Sequence, residues 1–461
     1  MKLMGRARAG RLLGVLLALG ALSGCASHSD KTKEIRTALD AGQPKRALEL
    51  LNEELETSSE KELPKSLTGD NALLLLDRAM VLQQLQSYKL SSRDLEVSDK
   101  QIEMLDFSRD ATDEIGKYLF SDDSGPYKAP PYEKLMINTM NMVNYLAQGD
   151  LQGARVEARR LSVMQKYFKD RDPENALSAP GSYLAGFTFE KSGNYDEALR
   201  YYDEALAHSQ YQSLAEPIRR LMPRSGYASP RLRKAGGVSE GESPTAPGEA
   251  EAEAQQGELL VIVSYGRVPA KIARRLPIGL ALTYASGAIS PNSASQANEL
   301  AAQGLVTWVN YPELGKARGR YDRPSFQLDG QSRGLEGIVA VDTEAQRSWD
   351  AVKGTIIASA ITRTVARVVA GKAVEAGTNA ATGKDSPLGL LLGLATQVTL
   401  TATDTPDTRN WQTLPARMAF SRVMLAPGPR TIRLSARGAT MTKKVDIKPG
   451  GFAVVNLTVL E

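Results

Sequence analysis

Residues 182–207, SYLAGFTFEKSGNYDEALRYYDEALA, decide how the first half of the chain folds. Apolar and small side chains recur three and four positions apart on each side of the central turn, as in two amphipathic helices that pack together. Small Gly186 and Ala198 would let those helices approach closely. Tyr195 would wedge the turn, and Ala205 would begin the contact with a following helix. The stretch therefore predicts a tightly packed helical hairpin.

Two weaker copies of this hairpin junction precede it in the chain. One is ALDAGQPKRALELL at 38–51, and the other is YLAQGDLQGARVEAR at 145–159. An apolar helix that begins near Asn71 would fill the space between them. The junctions resemble the tetratricopeptide repeat. The resemblance implies an α helical-repeat solenoid over 31–222, whose concave face holds peptides or partner proteins.

A narrower resemblance covers part of the helical region. The segments PYEKLM at 131–136, NYL at 144–146, GD at 149–150 and ARVEARR at 154–160 resemble a signature of bacterial outer-membrane lipoproteins. In that family the signature is paired with a carboxy-terminal Trp-x-x-Leu-Pro motif, which stands here as WQTLP at 411–415. The family has no established chemistry, so the resemblance implies a class of protein and not an activity.

Polar side chains within this segment are candidates for a partner-binding surface. Asn138, Asn141 and Asn144 fall on neighbouring faces of one predicted helix and would form a polar stripe along a groove. Arg159, on the next predicted helix, joins them as a candidate. The alternative is that these residues serve only the structure of the helices and their solvation.

The amino terminus has the pattern of a secretory signal. Basic residues precede an apolar run too short to span a bilayer, and LSGC follows at 22–25. LSGC resembles the bacterial lipoprotein box. The resemblance implies that the signal peptide 1–24 is removed and that Cys25 is acylated with diacylglycerol and a fatty acid such as palmitate. Residues 25–30 would then form a lipid-anchored tether. Ala26, where an Asp would mark inner-membrane retention, implies the outer membrane facing the periplasm, with surface exposure left open. The alternative is an ordinary signal peptide with a chance cysteine.

Composition narrows the chemistry that the chain can support. The formal net charge of +4, part of which lies in the signal, gives no reason to expect nucleic acid as a partner. Cys25 is the only cysteine, and His28 and His208 are the two histidines. The sequence therefore predicts no intrachain disulfide, no His/Cys metal site and no cofactor. Histidine-dependent nucleophilic catalysis would rest on His208, whose neighbours are typical of an ordinary helix end.

Composition changes abruptly after the helical region. Residues 223–257 include an acidic stretch with no large apolar side chain, so we expect a disordered linker. The region 258–461 begins with LLVIV at 259–263, which is typical of a buried strand. Seven more strand candidates follow at 305–310, 326–328, 337–342, 418–425, 430–435, 440–447 and 452–460. Turn residues between the last four indicate an antiparallel meander, so this half is predicted to be a separate α+β domain with an antiparallel sheet.

A helical hairpin over 343–403 is predicted between those strands. Its first arm, 343–376, carries apolar residues at helical spacing, and its second arm, 386–403, is uncharged and contains GLLLG. Threonines in the second arm leave too few apolar residues for a membrane span. The sequence favours a hairpin packed on the sheet. The alternative is contact with the membrane surface or with a second copy of the chain, which would give a homo-oligomer.

The richest polar cluster of the second half is DTPDTRNWQTLP at 404–415. Asp404 and Asp407 stand three residues apart and could serve acid/base or metal chemistry. Asp-x-Pro-Asp is also a common turn in which carboxylates cap backbone amides, and no histidine or third ligand stands nearby. Arg409 and Trp411 are the better candidates for contacting a partner.

These features together predict a non-enzymatic, lipid-anchored scaffold of the cell envelope. It would bind a protein partner through its helical repeats, in envelope assembly or in the regulation of cell-wall synthases. Two alternatives belong to other classes. One is an enzyme that acts on peptidoglycan or another envelope polymer through Asp404 and Asp407, and the other is a membrane-remodelling or pore component that uses residues 350–403.

Overall fold

Helices fill the first half of the chain and strands lie mostly in the second. The computed structural model describes residues 27–68, 70–104, 127–171, 177–238, 256–316, 322–382 and 406–461. These ranges contain fourteen α-helices and twelve strands. The prediction of a helical region followed by a mixed helical and sheet region is therefore confirmed at that level. The predicted signal and Cys25 lie outside the described residues.

Four helical hairpins build the first region. Its helices are α1 His28–Lys31, α2 Lys33–Asp40, α3 Pro44–Glu54, α4 Asn71–Gln84, α5 Tyr88–Gln101, α6 Pro131–Ala147, α7 Leu151–Arg171, α8 Ser178–Lys191, α9 Tyr195–His208, α10 Ala215–Leu221 and α11 Pro230–Gly236. The hairpins α2–α3, α4–α5, α6–α7 and α8–α9 pack against one another in the order of the chain. We call α2 to α9 the helical layer. A short parallel pair, β1 Glu103–Met104 with β2 Lys128–Ala129, lies between α5 and α6 in the chain.

The turns of all four hairpins share one backbone conformation. Gly42, Gln86, Gly149 and Gly193 have φ angles of 66°, 61°, 74° and 76°. In each turn the N–H of the following residue donates a hydrogen bond to the carbonyl five residues earlier. Glycine adopts this left-handed conformation at the least cost, which explains its place in three of the four turns. The three junctions predicted from the sequence are confirmed, and the fourth lacks the glycine that would have shown it.

Glycine also sets the spacing at two helix crossings. A Cβ atom at Gly186 would lie 2.4 Å from the ring of Tyr202, and one at Gly153 would lie 2.3 Å from the ring of Tyr145. Ala198, which faces the same hairpin interface, is fully buried. The close approach predicted for Gly186 and Ala198 is confirmed, because no larger side chain fits at these crossings.

The described chain continues past residue 222, where the linker is predicted to begin, as a 3-10 turn, a short irregular segment and the helix α11. In α11 Leu232 is fully buried, and Nη1 of Arg231 lies 2.8 Å from Oδ1 of Asp203 on α9. The prediction of disorder is therefore wrong for 223–238, because this segment has apolar and charged side chains that pack on α9. The acidic stretch 239–255 lies outside the described residues.

Two four-stranded sheets and a two-stranded ribbon form the second region. Its strands are β3 Gly257–Tyr265, β4 Lys271–Pro277, β5 Trp308–Leu314, β6 Ser325–Leu328, β7 Gln331–Arg333, β8 Glu336–Ala340, β9 Arg417–Leu425, β10 Gly428–Ala436, β11 Ala439–Ile447 and β12 Phe452–Val459. The first sheet has the order β12–β3–β9–β8, the second has the order β11–β10–β6–β7, and β4 pairs with β5. Within this region every pair is antiparallel except β12 with β3.

The predicted meander of the last four strands is wrong. Only β10 and β11 form the expected hairpin, while β9 and β12 lie in the other sheet on either side of β3. Every residue of β3 is buried, so its apolar run needs a neighbour on each edge and cover on both faces. Leu260 and Ile262 belong to the core beneath the helical layer, whereas Leu259 and Val261 belong to the core that includes the second sheet.

Three helices and the ribbon β4–β5 share a hydrophobic cluster of their own. The helices are α12 Ile278–Tyr284, α13 Pro291–Ala302 and α14 Val341–Thr382. In α14, Ile357, Ile361 and Val365 are buried in this cluster. The first arm of the predicted helical hairpin is confirmed as a helix, and its second arm lies outside the described residues. Among the described helices, none combines the length and the apolar character needed to cross a membrane.

The helical layer and the first sheet share one hydrophobic core, which includes residues from α2 to β12. The ring of Tyr183 on α8 stacks on that of Phe420 on β9, with centroids 4.9 Å apart. Phe187 meets Phe452 edge-on at 5.6 Å. The prediction that the second half is a separate domain is therefore wrong, because the hairpins have a second apolar face that the sheet covers.

Candidate functional site

Residues 407–413, which we call the junction segment, lie against the helical layer. Asp77 of α4 accepts hydrogen bonds from the N–H of Thr413 at 3.1 Å and from its hydroxyl at 2.7 Å. Glu133 of α6 accepts one from the N–H of Trp411 at 3.1 Å. Both carboxylates are fully buried, and burial raises the pKa of each. Two helix carboxylates thus fix the backbone of this segment.

Arg409 and Trp411, predicted as partner contacts, are interior residues. Arg409 is 1% exposed, and its Nε and Nη2 lie 2.9 and 2.8 Å from the two carboxylate oxygens of Asp407. Asp407 also accepts the backbone N–H of Arg409 at 3.0 Å, as in the turn that the sequence left as an alternative. Burial favours a higher pKa for Asp407, but Arg409 holds that pKa below its ordinary value. Trp411 is fully buried, so the prediction of partner contact is wrong for both residues. Asp404 lies outside the described residues.

The first described residues also belong to this junction. The N–H of Ser29 donates to the hydroxyl of Thr408 at 3.0 Å, and Nη1 of Arg36 lies 2.7 Å from the amide oxygen of Gln412. His28 is buried, with Nδ1 lying 3.1 Å from Oδ2 of Asp70. The prediction of a tether at 25–30 is wrong from Ser27 onward, because these residues are held by contacts with the junction segment.

The predicted asparagine stripe is buried. Asn138 donates to Glu157 at 3.0 Å, and Asn144 donates to the hydroxyl of Ser91 at 2.8 Å. Asn141 is 1% exposed. These side chains join α6 to its neighbours and do not face solvent. The sequence could have indicated this burial, because α6 carries apolar residues on all of its faces, as a fully enclosed helix does.

A second buried charge cluster joins α8 to the first sheet. Nη2 of Arg422 on β9 lies 2.7 and 2.8 Å from the two carboxylate oxygens of Glu190, and Arg422 also pairs with Glu258 of β3. The hydroxyl of Tyr202 donates to Glu190 at 2.6 Å. Burial favours a higher pKa for Glu190, but Arg422, Lys191 and Arg220 together hold it well below the ordinary value. Sequence reasoning missed the cluster because its members are far apart in the chain.

Arg159, unlike the other candidates, is exposed and lines a groove between α7 and α9. The groove has a volume of about 670 Å³, and we call it the basic groove. Phe189 and Tyr201 are its largest apolar lining residues, and their rings stack 5.4 Å apart at an angle of 11°. The other lining residues are Arg155, Ser162, Gln165, Lys166, Lys169, Asn194, Glu197, Arg200 and Glu204.

The charge of the basic groove is strongly unbalanced. Five cationic side chains and two carboxylates line it, an excess of three positive charges. Arg155, Arg159, Lys166 and Lys169 follow one face of α7 at steps of four, seven and three residues. Among the described residues, none of these four, nor Arg200 of α9, forms an ion pair with a carboxylate. The spacing of this row could be recognised in the sequence of α7. Arg200 lies on α9, and only the folded structure brings it to the same groove.

Arg155 has a distinctive place in the basic groove. Its guanidinium carbon lies 5.8 Å from the centroid of the Phe189 ring, so one face of the group rests on the aromatic side chain. Its Nε is buried and has no hydrogen-bond partner within the described part of the chain. A planar guanidinium held in this way is suited to bind a carboxylate through two nitrogens.

A smaller cavity of about 230 Å³ lies where α2 meets β4 and the junction segment. Two of its three cations, Arg267 and Arg36, already have internal partners, and the third is Lys316. Arg267 pairs with Asp40, and Arg36 binds Gln412. The basic groove is therefore the better candidate for binding a molecule outside the chain.

Comparison with known proteins gives no relative to this chain. No protein-family model matches it, and neither curated proteins nor solved structures give a match. Over the described ranges, no three or more His, Cys, Asp or Glu side chains are grouped as metal ligands. The candidate site thus stands on the geometry and charge of the basic groove.

Proposed function

We propose that this protein is a non-enzymatic, lipid-anchored scaffold of the bacterial cell envelope, and that it binds a protein partner through its helical layer. The observation that carries the proposal is the basic groove. Its five cations outnumber the two carboxylates that line it, and none of them forms an ion pair within the described part of the chain, whereas the buried Arg409 and Arg422 do. An open, unneutralised surface is a feature of a binding site and does not contribute to the stability of the free protein.

The positions of the carboxylates near the junction segment support a scaffold over an enzyme. Asp77 and Glu133 are buried and already accept hydrogen bonds from the junction segment, and the partly exposed Asp407 is held by Arg409. A general acid or base must reach a substrate proton, and Asp77 and Glu133 have no exposed surface from which to do so. Their contacts instead join the helical layer to the segment that leads into β9.

The cellular setting of the proposal rests on the resemblances. The LSGC box supports acylation of Cys25 and attachment to the outer membrane, facing the periplasm. The four hairpins with a common turn are consistent with a tetratricopeptide-like solenoid. Envelope assembly and the regulation of cell-wall synthases are the processes in which such a scaffold would take part.

Cross-linking from defined positions in intact cells tests the proposal. A photo-reactive amino acid would replace Ser162 or Gln165 inside the basic groove, or the exposed Lys45 on α3 as a matched control. We expect one envelope protein to be captured from the two groove positions in amounts comparable to the scaffold, and not from Lys45. Equal capture from Lys45, or capture from neither groove position, would contradict partner binding at this groove.

A further inference from the structure

We infer that the basic groove accepts an extended, acidic polypeptide segment of the partner that carries an apolar side chain among its carboxylates. This inference rests on the proposed function and adds the chemistry of the partner to it. The cationic row from Arg155 to Lys169 spans fourteen residues of α7, or about 21 Å at 1.5 Å per residue. An extended segment covers that length in about six residues.

The spacing of the row matches an extended chain. Arg155 and Arg159 are separated by about 6 Å along the helix axis, and Lys166 and Lys169 by about 4.5 Å. Alternate side chains of an extended strand point the same way about 6.6 Å apart. Carboxylates at alternate positions of the segment would match the step from Arg155 to Arg159, and the flexible lysine side chains would cover the difference of about 2 Å at Lys166 and Lys169. Arg200 faces the same space from α9 and would hold the segment from the other side.

An apolar contact is available in the middle of the row. Val163 lies four residues after Arg159 and three before Lys166 on α7, and its side chain is 70% exposed. Phe189 and Tyr201 form the floor of the groove and expose only their edges to it. One apolar side chain flanked by carboxylates therefore suits this surface better than a segment of acidic residues alone.

The shape of the site favours a polypeptide over the anionic surface of a bilayer. The cations line a groove whose aromatic residues Phe189 and Tyr201 are only 4% and 8% exposed. An extended chain can enter such a depression, whereas a flat membrane surface can reach only its rim. Binding of anionic lipid in place of the peptide would be the contrary result of the experiment below.

The electrostatics of the groove determines how the affinity for the segment should depend on salt. Exposed ion pairs are individually weak, so affinity has to come from several of them acting together with the apolar contact. Arg155 is the exception, because its guanidinium lies over the Phe189 ring and so loses less side-chain freedom when its terminal nitrogens bind a carboxylate. Binding should fall steeply between about 0.1 M and about 1 M salt, over which the Debye length shortens from about 10 Å to about 3 Å.

Fluorescence anisotropy with the full chain in detergent tests the inference. The probe is a fluorescein-labelled peptide with the central sequence Glu-Glu-Glu-Phe-Glu-Glu-Glu, and its counterpart has Gln in place of every Glu. We expect the acidic probe to bind at least about tenfold more tightly than the Gln peptide. The double variant Arg159→Glu with Lys166→Glu should lose that binding by about tenfold or more.

The matched control reverses two exposed charges outside the groove, Lys33→Glu with Lys45→Glu, and so changes the net charge by the same amount. Binding by this control should stay within about twofold of the wild-type chain, and thermal unfolding should show that both variants are folded. Equal binding of the Gln peptide, or equal loss in the two double variants, would overturn the inference.

A further arm replaces the probe with vesicles that contain anionic phospholipid. Groove-dependent sedimentation with vesicles in the absence of peptide binding would overturn the inference in favour of lipid. If the acidic probe fails while Ser162 and Gln165 still cross-link a partner in cells, the acidic segment is wrong and the scaffold stands. If both experiments fail, the proposed function falls as well.

Discussion

The junction segment and the basic groove are both rich in charge, yet the chain uses charge in opposite ways in the two places. Asp77, Glu133 and Arg409 lie in the interior, and each is held by hydrogen bonds within the chain. Arg159 and Lys166 are exposed, and neither forms an ion pair among the described residues. Buried charge that is fully paired specifies how two parts of a protein fit together, whereas exposed charge without a partner is available to another molecule.

The largest expected effect comes from breaking the buried cluster that joins α8 to the sheet. Arg422→Met would leave Glu190 and Glu258 buried without their main cation, and we expect the free energy of unfolding to fall by about 3–5 kcal/mol. Arg159→Met, the same change in the basic groove, should shift it by less than about 0.5 kcal/mol. Urea unfolding of both variants measures the difference. Similar losses of unfolding free energy in Arg422→Met and Arg159→Met would contradict the distinction between buried paired charge and exposed groove charge.

A smaller effect is expected at the junction segment. Asp77→Ala removes the acceptor of the Thr413 N–H and hydroxyl and leaves buried donors unsatisfied, at a cost of about 1–3 kcal/mol in unfolding free energy. Lys166→Ala is the control from the groove and should change stability by less than about 0.5 kcal/mol. If Asp77→Ala were neutral, the hydrogen bonds of Asp77 would not be what holds the two halves together.

The pH dependence of stability sharpens the comparison further. The pKa values of Glu190 and Glu258 are lowered in the folded chain from an ordinary 4.5, so the stability that they contribute is present above that value and is lost as pH falls through their folded pKa values. In Arg422→Met the same carboxylates would lose their main cation and keep only Lys191 and Arg220, so their pKa values in the folded chain would rise. The destabilisation caused by Arg422→Met should therefore shrink as pH falls from about 5 to about 3. Urea unfolding of the wild-type chain and Arg422→Met across that pH range measures the change. A difference in unfolding free energy that grows at low pH would contradict the prediction.

The sequence was informative where local chemistry decides the structure. The turn residues Gly42, Gly149 and Gly193 revealed three of the hairpins, because a left-handed turn favours glycine. The strands of the second half were largely found, since short apolar runs between turn residues leave few alternatives. Sequence pattern could not give strand order, because the pairing of β12 with β3 is decided by burial of β3 on both faces.

The candidate site was harder to predict, because exposure depends on neighbours far away in the chain. Arg409 and Trp411 look like an accessible polar cluster until α4 and α6 cover them. Arg159 was named from the sequence, but the groove around it requires α9 to bring Arg200 beside α7. The asparagines of α6 were misjudged because polarity alone does not show whether a helix is enclosed.

The burial of Ser27, His28 and Ser29 fixes how the molecule would sit on its membrane. With Cys25 acylated, as proposed, only two peptide steps separate the lipid from the first buried residue, a reach of at most about 7 Å. The protein then has no spacer with which to search the periplasm. Its height and tilt over the outer membrane would be set by the fold.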